Sequence, residues 1–174
     1  MRPKPPFEGA AARAAFSAAH DWPLPSRPYL PGLTARPSGD DDVHRVAALA
    51  PDPTEPALWR ENPPYLAGFR LYNAGYGWEA HEVWEPVWMN ARAHSGEQYL
   101  LQGLIQLANA RLKLMMERDR AAVRLMEMAA DCLQQAVFAG GETVMGVNAA
   151  ALLRKVQIER LTQPPNQLTV QYNA

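Results

Sequence analysis

Proline is distributed unevenly along this 174-residue chain, and that limits what it can fold into. Thirteen of the sixteen prolines precede Tyr65. Proline removes a backbone donor and breaks helix interiors. Roughly the first fifty residues are therefore expected to be mostly non-helical, apart from a short helix around Ala10 to His20. From Tyr65 to Gln163 a single proline, Pro86, interrupts the chain, which leaves that stretch free to form helices.

Capping residues divide the second stretch. A short helix is expected over Glu55 to Glu61. Asn62 caps the next, from about Pro64 to Asn73, with the prolines in its first turn. Asn73, Gly75 and Gly77 punctuate the chain before a helix from Trp78 to Asn90. Ser95 caps an apolar helix from Glu97 to about Glu117, where Leu101, Leu104, Ile105, Ala108, Leu112 and Met115 form a core stripe. Gly103 lies beside that stripe and admits a close neighbour. A further helix runs from Asp119 to Phe138 and ends at Gly140 and Gly141. Asn148 caps a last helix, Ala149 to Leu161, before Pro164 and Pro165. The LTVQYNA tail is expected to be extended or frayed. In the arm, Trp22, Tyr29, Leu30 and Leu33 are apolar anchors, and Arg27 to Pro37 is expected to run extended across the helices. The run Asp40, Asp41, Asp42 reads as a solvated turn, with His20 and His44 facing solvent. Arg111, Lys113, Arg118, Arg120 and Arg124 read as a solvated basic cluster, and Cys132 as a buried, inert thiol.

The stretch Tyr72 to Trp88, YNAGYGWEAHEVWEPVW, concentrates three of the five tryptophans, one of the four histidines and three glutamates. At helical spacing, Trp78, His81, Glu82, Trp84, Glu85, Trp88 and Met89 fall on one broad face. His81 and Glu85 are four apart and hence neighbours, and Glu82 and Glu85 are three apart. Pro86 removes the backbone bond to Glu82 and is expected to loosen the helix there.

A carboxylate and an imidazole on an aromatic face need partners. Three readings compete. One is a structural polar network joined to a facing helix. Another is a divalent metal site built from His81, Glu85 and Glu82, donor types that suit zinc, manganese or iron. The last is acid–base catalysis by His81 with Glu85. The string His-Glu-x-x-Glu resembles the zincin His-Glu-x-x-His, but Glu85 replaces the second histidine and removes that argument. Gln102, Gln106 and Asn109 form a polar stripe on the next helix. They either face solvent or meet His81 and Glu85 and orient them.

Formal net charge is −1, which gives no electrostatic case for nucleic-acid binding. One cysteine excludes an intrachain disulfide or a cysteine zinc site. No apolar run approaches a membrane span, and the N-terminus lacks the apolar core of a signal peptide. A cytoplasmic protein is expected. No phosphate-binding glycine loop, dinucleotide motif or serine-hydrolase elbow occurs. The aromatic content permits a homodimer as readily as a packed core.

RPYLPGLTARP, YNAGYGWEAHEVWEPVW and LQGLIQLANARLKL together resemble the domain of unknown function 309 family, over roughly Arg27 to the last helix. The family's central pattern maps onto Asn73, Gly75, Trp78, Glu79, His81, Glu82 and Glu85. The resemblance implies a small all-α bundle, and some members carry the label of metal-dependent hydrolase. The expected fold is an all-α, antiparallel bundle of four to six helices with a Pro-rich arm packed over it. Its expected divisions are an arm (1–52), a bundle (53–163) and a tail (164–174). The expected function is a polar pocket formed by Glu79, His81, Glu82 and Glu85 with Gln102, Gln106 and Asn109, taking a divalent metal or a small polar ligand. If catalytic, the economical scheme is metal-assisted hydrolysis, with His81 and Glu85 as ligands and Glu82 as general base. The alternative is a non-enzymatic structural or interaction module in which His81–Glu85 is a buried polar network.

Overall fold

The computed structural model describes residues 23–39, 41–162 and 168–172. The helix expected around Ala10 to His20, and the anchor Trp22, lie outside them. The described chain is all-α with one small hairpin: α1 (Asp42–Ala47), a 3-10 turn (Pro56–Glu61), α2 (Pro63–Asn73), α3 (Gly77–Met89), α4 (Gly96–Met115), α5 (Asp119–Gly140), β1 (Thr143–Val144), β2 (Val147–Asn148) and α6 (Ala149–Glu159).

The caps explain most of these boundaries. The side chains of Asn62, Ser95 and Asn148 accept hydrogen bonds from the backbone N–H groups of Tyr65, Gln98 and Ala151. Each satisfies a donor that the first helical turn leaves unpaired. Pro63 and Pro64 occupy the start of α2, where a missing N–H costs nothing. Pro86 sits inside α3, which nevertheless continues to Met89.

Helix α2 is buried almost all round, from Pro64 to Tyr72, apart from Arg70. Its aromatics pack edge-on. Phe69 meets Tyr65 and Trp84 with ring centres 4.9 and 5.3 Å away. The Trp84 indole N–H donates to the Tyr65 carbonyl at 3.0 Å. Helix α3 then lies between α2 and α4, and α5 packs along α4. Two glycines permit the close approaches. A Cβ on Gly77 would stand 2.7 Å from the Ala108 carbonyl oxygen of α4, and one on Gly103 would stand 3.2 Å from Leu133 of α5. Gly77 thereby seats the first turn of α3 directly on α4. Helix α6 closes the bundle against α5.

Several expectations need correction. The core stripe of α3 is Glu79, Ala80, Val83, Trp84 and Val87. Trp84 thus points inward, whereas Met89 is 68% exposed and His81, Glu82 and Glu85 lie on the outer side. The broad face drawn from the sequence joined two faces because its tryptophans bury on different sides. The aspartate run is not a free turn: Asp41 caps α1, accepting the His44 N–H at 3.0 Å. The tail is pinned where it is described. Leu168 and Val170 are buried, and the Asn73 amide exchanges two hydrogen bonds with the Val170 backbone, 2.8 and 2.9 Å long. Arg111 is buried, not solvated; its guanidinium lies 5.2 Å from the Tyr72 ring centre and donates to the Leu168 carbonyl. Leu33, expected as an anchor, is exposed.

Candidate functional site

Helical geometry places His81, Glu82 and Glu85 on adjacent positions of the outer face of α3, and the structure brings their donor atoms together. One ligand atom from each lies within 4.8 Å of the other two. His81 Nε2 stands 3.9 Å from Glu85 Oε1, too far for a hydrogen bond and close enough to share an ion. The His81 side chain is 25% exposed and that of Glu85 47%. The cluster is therefore reachable from solvent and is not a sealed core network.

Helix α4 supplies the orienting contact. His81 Nδ1 lies 2.8 Å from Asn109 Oδ1. An amide oxygen only accepts, so Nδ1 carries the proton and Nε2 keeps its lone pair facing Glu85. This arrangement is typical of a metal-ligating histidine. Of the three amides expected in the pocket, Asn109 makes this contact. Among the described residues, Gln102 and Gln106 form no side-chain hydrogen bond. Gln102 opens instead on a shallow groove beside Tyr99, Asp131 and Cys132. Burial raises the Cys132 thiol pKa, which keeps it protonated and unreactive.

Glu79 lies one turn before Glu82 and is buried beneath the arm. It is 1% exposed. Its Oε1 accepts the Tyr29 backbone N–H at 2.7 Å, while Oε2 is buried without a partner. Burial raises its pKa; the Tyr29 hydrogen bond opposes this, and Asp41 and Glu82 add to the rise. Glu79 is thus the point where the arm docks. Tyr29 also meets Trp78 edge-on at 4.9 Å, and the Tyr76 hydroxyl donates to the Pro25 carbonyl at 2.6 Å. Between arm, α1 and α3 lies a cavity of about 350 Å³, with Arg27, Tyr29, Arg36, Asp41, Asp42 and Glu79 among its walls.

One residue at this site was not anticipated. His44, expected to face solvent, is half-buried, and its Nε2 lies 4.0 Å from Glu82 Oε2. Its Nδ1 lies 2.8 Å from Asp41 Oδ1. Burial raises the Glu82 pKa; His81 opposes this, Glu85 adds to it, and His44 and Arg36 oppose it again. Nothing in the sequence pairs His44 with Glu82, which lies 38 positions away on another element.

Fold and cluster together define a small all-helical bundle protein with a His/Glu group on one helix. The family model described as Domain of unknown function (DUF309) matches residues 65–125, from the first turn of α2 into α5. The matched segment contains the whole cluster and Asn109, and the match bears out the resemblance read from YNAGYGWEAHEVWEPVW. No curated protein and no solved structure matches the chain. No helix among the described residues is long and apolar enough to cross a membrane.

Proposed function

We propose that His81 and Glu85 bind a divalent metal beside Glu82 and that the protein is a metal-dependent hydrolase acting on a small polar substrate. The observation that carries this reading is the 2.8 Å contact between His81 Nδ1 and Asn109 Oδ1. Asn109 holds Nδ1–H and leaves Nε2 free beside two carboxylates. The residues fit zinc, manganese or iron, each of which takes imidazole and carboxylate donors. Two side-chain ligands leave positions open, as catalysis requires. When bound, such an ion supplies Lewis-acid and water-activating chemistry.

The chain's own groups do the rest. Asn109 fixes the imidazole. The Glu82 carboxylate, with its pKa raised chiefly by burial, is a stronger proton acceptor than a free glutamate and takes the proton from the attacking water. The test is hydrolysis of small ester, amide and phosphoester substrates by metal-loaded protein, with and without chelator. Chelator-sensitive turnover that Glu82→Gln abolishes while metal is retained supports the reading. Metal-loaded protein without chelator-sensitive turnover refutes the hydrolase.

The same His81–Asn109 bond joins α3 to α4 and favours a second reading, a non-enzymatic module in which the cluster ties helices together. That reading predicts that His81→Ala lowers the melting temperature with no metal in the parent protein. Glu85 is half-exposed, so losing His81 leaves it hydrated rather than stranded, and the metal reading predicts only a small change in stability.

A further inference from the structure

We propose that the surface formed by Trp59, α2 and α4 is a peptide-recognition groove, which takes an extended segment of the pattern Leu-x-Val-x-Tyr from a partner protein and is closed in cis by the chain's own tail. The tail, residues 168–172, belongs to no helix or strand. Leu168 and Val170 are buried and Tyr172 is half-buried, while Thr169 and Gln171 between them are exposed. That period of two belongs to an extended chain lying with one face down. The groove holds it by its main chain. The Asn73 amide accepts the Val170 N–H at 2.9 Å and donates to the Val170 carbonyl at 2.8 Å. The Arg111 guanidinium donates to the Leu168 carbonyl at 3.2 Å. The alternate side chains enter separate hollows. Leu168 sits beside Leu107, Leu114 and Met126 with a cavity of only about 10 Å³ left over. The Tyr172 ring meets Trp59 and Phe69, 5.4 and 4.9 Å between centres. In extended-peptide recognition, main-chain bonds give affinity and hollows for alternate side chains give specificity.

All of these contacts are made to residues 168–172 themselves, so a free segment of the same pattern presents the same groups. Phe69, Asn73 and Arg111 lie inside the family-matched segment, and the tail that occupies them lies outside it. A short tether gives the tail an effective concentration of about millimolar. A partner segment therefore binds the parent weakly and gains the groove when the tail leaves.

The probe is a fluorescein-labelled peptide of residues 166–174, titrated by fluorescence anisotropy with full-length proteins: the parent, Val170→Asp, Tyr172→Ala, and each tail variant combined with Asn73→Ala. Val170→Asp puts a carboxylate at a buried position and drives the tail into water. Tyr172→Ala is the milder release, and the melting temperature of each variant checks its fold. Binding is expected to be weak in the parent, tighter in both tail variants, by at least about tenfold in Val170→Asp, and lost when Asn73→Ala is added. A peptide with proline in place of its valine lacks the N–H that Asn73 accepts and is expected not to bind. No binding by either folded tail variant overturns the groove. Binding that survives both Asn73→Ala and the proline peptide places the peptide elsewhere and also overturns it. Equal affinity in the parent and both tail variants overturns the closure in cis. A parent that elutes as a dimer, dissociated by Val170→Asp, assigns the groove to the tail of a second copy and overturns the partner.

Discussion

His81 Nδ1 and Asn109 Oδ1 lie 2.8 Å apart across the α3–α4 interface, and this contact decides which imidazole nitrogen is free. If that is its role, Asn109→Ala leaves the fold intact and weakens zinc binding about 10- to 100-fold, the usual cost of removing an orienting partner. Asn109→Asp, which keeps an acceptor at the same place, restores most of the affinity. Calorimetric titration of the three proteins with zinc makes the comparison.

The spacing between α3 and α4 that permits this contact depends on Gly77. A Cβ there meets backbone, not a flexible side chain, so neither helix accommodates it without moving. Gly77→Ala is expected to cost about 1–3 kcal/mol, a fall in melting temperature of roughly 2–4 °C per kcal/mol for a chain of this size. It should also weaken metal binding. Thermal unfolding and zinc titration of the same preparation check both.

Glu79 gives a pH dependence with a definite sign. Burial raises its folded pKa above the usual 4.5, so the folded state holds the proton more tightly than the unfolded one. The stability it contributes is full below about pH 4.5 and is lost as pH rises through the folded pKa. Glu79→Gln keeps the acceptor for the Tyr29 N–H and cannot ionise. In metal-free protein, parent and variant should have similar stability near pH 4, and the variant should be the more stable at neutral pH. Urea unfolding across that range measures the difference.

The bundle itself could be read from the sequence. Asn62, Ser95 and Asn148 each mark a helix start that the structure shows, and Gly103 marks a close approach that occurs. These signals are local, so the chain carries them without its fold. The features that escaped are non-local or very short. The two-residue strands Thr143–Val144 and Val147–Asn148 offer no period to detect. Their turn is held by the Tyr65 hydroxyl donating to the Met145 carbonyl, 80 positions away. The inward turn of Trp84 depends on Phe69 and Tyr72 of α2, which a helical projection of α3 alone does not contain. The cluster of His81, Glu82 and Glu85 was legible because all three share one helix. His44 was not, because only the docking of the arm brings it to Glu82.

The anchoring of the tail escaped for the same reason. Asn73 ends α2 and looks like a stop signal, yet its side chain also pairs with the Val170 backbone. Asn73→Ala removes both bonds and is expected to cost about 1–3 kcal/mol. Cleavage within residues 168–172 should become faster in limited proteolysis, while the bundle fragment resists as before.

The most direct test of the central claim is elemental analysis of the purified, untagged protein beside His81→Ala and Glu85→Ala. About one zinc, manganese or iron per chain in the parent, lost in both variants, is the predicted result. A parent that holds no metal after incubation with each of the three, or a His81→Ala variant that keeps its full complement, contradicts it.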